Sequence, residues 1–317
     1  MTRWSAETAP LSSAASAERR LNPLTSCPLA KQAKSSSHAE PITISGGWLL
    51  RAFFLVLGVA ALCAYATLCL LFYQGQWQLL LHPSRTVATT PAARSIPFDE
   101  IRFDYTETGI AQLDGWWIPA ENGTRWSQNA ILYLHGGEGS LANCIDDLAT
   151  LHSLGINVFA FDYRGYGRST GIRPGEQKMT QDAEAAWHYL TGTRHIDSKR
   201  LVLYGAGIGA SLAAELAAKQ PSAGVILDSP NEPARQVIAA DARARILPFS
   251  LLLTEHFDPA ATLKTLTTPK LFLDRNGKKS RTGQLSQEAA FPKEYFELEQ
   301  NTGYEATLRR FFDEVLP

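Results

Sequence analysis

The stretch best equipped for chemistry is Leu201-Val-Leu-Tyr-Gly-Ala-Gly-Ile-Gly-Ala210, running directly into Ser211-Leu-Ala-Ala-Glu-Leu-Ala-Ala-Lys219. An apolar run, glycines at 205, 207 and 209, and an Ala/Leu-rich helical pattern predict a buried strand, a tight turn and a helix start. Two chemistries use that shape. In a nucleophile elbow, G-x-S-x-G, a serine stands at the tip of the turn. In a dinucleotide fingerprint, G-x-G-x-x-G/A, phosphate lies on the helix N-terminus and an acidic residue ending the next strand grips ribose. Here the tip is Gly207, which has no side chain to react with. Gly205, Gly207 and Ala210 also fit the second pattern, with Asp228 about twenty residues further on. Ser211 is a full helical turn past the tip and is expected to point away.

Other reactive residue types are sparse. Cys144 lies just past His135-Gly136-Gly137 and is the other nucleophile candidate, with His135 as its conceivable base. A lone cysteine on an apolar helix is more often a small core residue than a reactive thiol. The seven histidines, at 38, 82, 135, 152, 188, 195 and 256, show no i, i+4 or cysteine-paired spacing. No metal site and no cofactor are therefore expected.

The elements that position these residues follow from periodicity. Ile101–Tyr105 and Leu113–Ile118 flank a Thr-Gly turn and predict an antiparallel pair. Ala130–Leu134 is a buried strand leading into His135-Gly136-Gly137, followed by a helix over about Ala142 to Leu154. Strand Asn157–Phe161, a helix over about Thr180 to Leu190, the strand–turn–helix at 201–219 and strand Gly224–Asp228 continue the alternation. Strand Lys270–Leu273, a helix near Ser286 to Phe291, strand Glu294–Leu298 and helix Glu305–Val315 finish the chain. Alternation of this kind predicts right-handed βαβ units and a mostly parallel sheet covered on both faces. Residues 230–269 break the rhythm. They carry the apolar patch Ile246–Leu253, and are expected either as a lid over the carboxyl ends of the strands or as a helix packed into the core.

At 317 residues the chain has room for one large α/β domain plus extras. A formal charge of −1, with no basic patch interleaved with aromatics, gives no reason to expect a nucleic-acid partner. Four cysteines, two of them in an apolar segment, form no disulfide framework. Residues 1–46 are Ser/Ala-rich and predict a disordered polar tail. Residues 47–75 predict a transmembrane anchor, because Ala52 to Tyr73 runs without a charge and roughly 20 apolar residues cross a bilayer. Its late start and Leu-Leu-Phe-Tyr ending argue against a cleaved signal. Lys31, Lys34 and Arg51 precede the span, whereas the nearest positive charges after it are Arg85 and Arg94. The N-terminus is thus expected in the cytoplasm and the domain of residues 76–317 outside it, in the periplasm if the cell is bacterial.

From about Trp77 onward the chain resembles the α/β-hydrolase superfamily, in particular its membrane-anchored, serine aminopeptidase-like branch. The likeness rests on Leu80-Leu-His-Pro-Ser-Arg85, Leu134-His-Gly-Gly137, Asp162-Tyr-Arg-Gly-Tyr-Gly-Arg-Ser169, Gln181-Asp-Ala-Glu-Ala-Ala-Trp187, the glycine spacing at 205–209 and Ile226-Leu-Asp-Ser-Pro230. The resemblance implies a serine, a histidine and an orienting acid, with backbone N–H groups holding the oxyanion. All three side-chain positions are substituted in this chain. Gly207 takes the serine's place, Lys278 the acid's and Tyr304 the histidine's, and no histidine follows His256. Asp274 is the carboxylate left near the acid position. The implied oxyanion framework is kept at Gly136, Gly137 and Ile208.

The expectation is a pseudoenzyme: a membrane-anchored α/β-hydrolase fold that binds a small acyl or peptide-like ligand, or a protein partner on the lid. An active esterase or peptidase with a relocated nucleophile and a dinucleotide-binding protein remain the alternatives.

Overall fold

The computed structural model describes residues 45–104, 112–275, 280–298 and 303–317. The chain divides into two units, Met1–Val56 and Leu57–Pro317. Helix α1, Gly46–Gly75, has no buried residue. With the turn that follows it, to Leu79, it is long and apolar enough to cross a membrane. The expected polar tail lies outside the described residues but for its last two.

An eight-stranded sheet fills the second unit. Its strands are β1 (Asp99–Phe103), β2 (Leu113–Ile118), β3 (Trp126–Leu134), β4 (Ile156–Asp162), β5 (Leu201–Ala206), β6 (Gly224–Asp228), β7 (Lys270–Asp274) and β8 (Lys293–Glu297). Their spatial order is β8-β7-β6-β5-β3-β4-β2-β1. β2 runs antiparallel to β1 and β4, and every other pairing is parallel. The central strands are buried on both faces, as their unbroken Val/Ile/Leu runs require. Side chains alternate between the two layers: Leu132, Leu134 and Leu203 enter one core, Ile131, Tyr133, Val202 and Tyr204 the other.

Helices α3 (Glu176–His188) and α4 (Gly209–Lys219) cover the first face, and α2 (Ile145–Ser153) and α9 (Tyr304–Val315) the second. The helix expected from Ala142 starts at Ile145. A single 3-10 turn, Leu141–Cys144, precedes it, closed by a capping box between Ser140 and Asn143. The helix expected near Ser286–Phe291 lies earlier, at Arg281–Glu288, because the Ser280 hydroxyl caps the Gly283 N–H at 3.2 Å.

Residues 230–269 form short helices, part exposed and part packed into the core. Helices α5 (Ala234–Ala240) and α6 (Phe249–Leu252) are separated by a 3-10 turn at Ala242–Ile246 that leaves Ile246 exposed. Further on, Phe257 and Leu263, the latter on α7 (Ala260–Leu263), enter the main core.

β3 leads to β4 on one side, whereas β5 leads to β6 on the other. The loops after β3 and β5 therefore part at a topological switch point and leave a crevice at the carboxyl ends of the strands.

Candidate functional site

The crevice is a cavity of about 500 Å³ whose lining includes Gly136, Gly137, Gly207, Ile208, Asn231 and His82. Gly207 crowns it in the left-handed region, at φ +57°, where a side chain costs about 1–2 kcal/mol. A Cβ built there would lie 3.1 Å from Asn231 Oδ1 and 3.7 Å from Gly136 Cα. The other glycines of the turn serve packing. A Cβ at Gly209 would stand 2.1 Å from the Leu134 carbonyl oxygen, so the bare residue lets α4 press against the end of β3. That requirement accounts for the G-x-G-x-G spacing without a nucleotide.

His135 stabilises the glycine loop from below. It is fully buried, and its Nδ1 donates to the Gly136 carbonyl at 2.7 Å. Burial pushes its imidazole down to about 4. The other ring nitrogen is 3.8 Å from Asp162 Oδ1, and burial pushes that carboxyl up to about 7. Tyr166 donates to the Gly137 carbonyl at 2.8 Å, and the same carbonyl accepts from the His82 N–H at 2.8 Å. With both carbonyls engaged below and beside the loop, its position relative to Ile208 at the mouth of α4 is held from several sides.

The remaining sequence candidates are not brought to this cavity. Asp228 is 3 % exposed and sits in a two-pronged ion pair with Arg275, with Nε–Oδ distances of 3.0 Å and an Nη2–Oδ2 distance of 2.7 Å; Tyr204 also donates to it. Its carboxylate is thus occupied, which removes the ribose grip on which the dinucleotide pattern depended. Tyr304 lies 2.8 Å, hydroxyl to hydroxyl, from Tyr204 and packs its ring beneath the Arg275 guanidinium at 5.2 Å. Burial pushes its phenol upward, so it keeps its proton. Asp274 accepts from Tyr295 at 2.8 Å and from Ser280, and is fully buried at the end of β7. Burial pushes the Cys144 thiol up to about 12, away from the thiolate a nucleophile needs, and Cys144 packs against the second core. Lys278 lies outside the described residues. Among the described residues, no group of three or more potential metal ligands gathers.

A family model described as serine aminopeptidase, S33, matches residues 127–282. A protein of Mycobacterium tuberculosis, described as uncharacterized, is 31 % identical over 245 residues, which are 76 % of this chain and 84 % of that one. The chain belongs to the α/β-hydrolase family. An uncharacterized membrane protein of Saccharomyces cerevisiae is 31 % identical over 199 residues, 60 % of this chain and 66 % of its own. Human alpha/beta hydrolase domain-containing protein 17B is 36 % identical over 123 residues, 38 % of this chain and 42 % of its own. The fold is that of a Pyrococcus furiosus esterase, at 20 % identity and a TM-score of 0.58 over 75 % of this chain and all of that one.

Two participants carry no local signal in the sequence. Asn231 faces the apex, yet in the sequence it is one residue of the loop Pro230-Asn-Glu-Pro233, with no periodicity to mark it. Arg275 follows Asp274 at a strand end, and only its tertiary partners, Asp228 and Asp147, distinguish it from any surface arginine.

Proposed function

We propose that this hydrolase-family chain is a membrane-anchored pseudoenzyme that binds a carbonyl-bearing ligand, a small acyl or peptide-like molecule, without cleaving it. The observation that carries the reading is Gly207 at φ +57° on the crown of the cavity. This is the position from which a family member would attack, and here it offers no nucleophilic atom. Tyr304, in the place expected for the general base, supports the same conclusion: a phenol bonded to Tyr204 and held protonated accepts no proton from a nucleophile. Gly137 and Ile208, at the positions whose backbone N–H groups hold the oxyanion in the family, line the crevice beside Asn231, and such a donor set suits a neutral carbonyl oxygen. Removing even one member of a Ser-His-Asp triad costs orders of magnitude in rate. An active hydrolase using Cys144 is disfavoured by that thiol's protonation and its place outside the cavity lining.

The test has two arms. The full-length protein, in detergent, should remain unlabelled by a fluorophosphonate probe, and labelling at any serine would identify a nucleophile and end the proposal. Millimolar hexanamide should raise the melting temperature, since a ligand that binds only the native state stabilises it. The rise should vanish in Asn231→Leu, which removes the amide facing the Gly207 apex in the cavity lining. No rise in the wild type would sink the carbonyl-binding half.

A further inference from the structure

The lid shares its neighbourhood with the end of the apolar helix. Gln76, 1 % exposed, donates to the Leu252 carbonyl at 3.0 Å and accepts from the Thr254 N–H at 2.9 Å. Above this tie, the last turns of α1 and the 3-10 turn at Ala242–Ile246 enclose an apolar groove of about 400 Å³, lined by Leu68, Leu71, Phe72, Ile246 and Leu247 among others. Ile246 is 66 % exposed and Leu251 is 84 % exposed.

Depth along the helix decides what covers this face. The uncharged run Ala52–Tyr73 is about 33 Å long at 1.5 Å per residue, against a hydrocarbon layer of about 30 Å. The run therefore has almost no slack, and Tyr73 must stand at the interface if α1 spans. Tyr65 is two turns further in, about 12 Å below Tyr73. Yet its hydroxyl lies 3.4 Å from the Ile246 carbonyl, and Leu68 flanks Ile246 in the groove. A helix inserted to Tyr73 carries Ile246 below the interface with it. We infer that the lid segment Ala242–Leu252 is seated in the same bilayer leaflet as the end of α1, its exposed apolar side chains covered by lipid acyl chains. The groove and the cavity at Gly207 share Leu79 in their linings, so the ligand site opens beside the membrane surface. This inference rests on α1 spanning a bilayer and is independent of whether the cavity is catalytic.

The full chain, reconstituted in phosphatidylcholine nanodiscs carrying phosphatidylcholine with a mid-chain diazirine, is irradiated and its adducts are mapped by peptide mass spectrometry. Adducts are expected on α1 and on residues 246–253. They are not expected at Phe291, which is 77 % exposed but lies just before the edge strand β8. Ile246→Glu with Leu251→Glu should lower the lid adducts about tenfold or more, because charge is costly among acyl chains, and should leave those on α1 unchanged. Both sites are exposed, so a preserved melting temperature identifies a folded variant. Adducts on α1 with none on 246–253 overturn the docking, as does equal labelling at Phe291. Absence of adducts on α1 itself overturns the span on which it rests.

Discussion

Gly207 crowns the crevice without a side chain, and the residues beneath it carry their own titration. Burial holds the Asp162 carboxyl at about 7 and the His135 imidazole at about 4. A carboxyl raised on folding stabilises fully below its unfolded value, about 3.9, and that contribution is lost as pH rises through about 7. An imidazole depressed on folding stabilises above about 6.5, and its contribution is lost as pH falls through about 4. The two slopes oppose each other across one window. His135→Asn should therefore lose melting temperature relative to wild type as pH rises from about 4 to 6.5, and Asp162→Asn should gain it over the same range. Curves parallel to wild type in both variants would reject these assignments. At this scale Gly207 was legible from spacing alone, because a strand, a glycine triplet and a helix fit few turns. Asp228 and Tyr304 were legible as positions but not as partners, since nothing local announces that Arg275 will clamp one and cover the other.

At the scale of elements, the strands were the most legible part. Val202, Leu203 and Tyr204 could only be a doubly buried strand, and Gly224–Asp228 was bounded without error. Helix ends were less so: the capped 3-10 turn of Ser140 to Cys144 precedes α2, and Ser280 caps the helix Arg281–Glu288, and neither alters hydrophobic period. The lid segment was ambiguous for a physical reason, as its two ends do different things. Phe257 and Leu263 are core, whereas the 249–254 stretch hangs on Gln76. Gln76→Ala leaves the Leu252 carbonyl and the Thr254 N–H without that amide, at a cost of about 1–2 kcal/mol. Hydrogen exchange of peptides covering 249–256 should accelerate accordingly, with exchange in β5 unchanged. An unaltered 249–256 would show that the glutamine does not hold the lid.

For the whole molecule, the orientation proposed for the span rests on the charges on either side of it. Lys31, Lys34 and Arg51 lie before the apolar run, and the next positive charges after it are at Arg85 and Arg94. On the positive-inside bias we propose that the folded domain lies outside the cytoplasm. Expressed in a bacterial host, a C-terminal alkaline phosphatase fusion should be active and a C-terminal green fluorescent protein fusion dark. The reverse pattern would put the cavity on the cytoplasmic side.

By itself, the order of residues determined the alternation of strand and helix, the family likeness, the long apolar run and the missing side chain at position 207. These are matters of period, length and residue type, and they are readable one window at a time. Only the tertiary structure decided that Asp228 is spoken for by Arg275, that Cys144 packs against the second core, that Asn231 faces the apex and that Ile246 lies level with the inner turns of α1. Each of those depends on which distant segments the sheet order brings together, and on how much water is left between them once they meet.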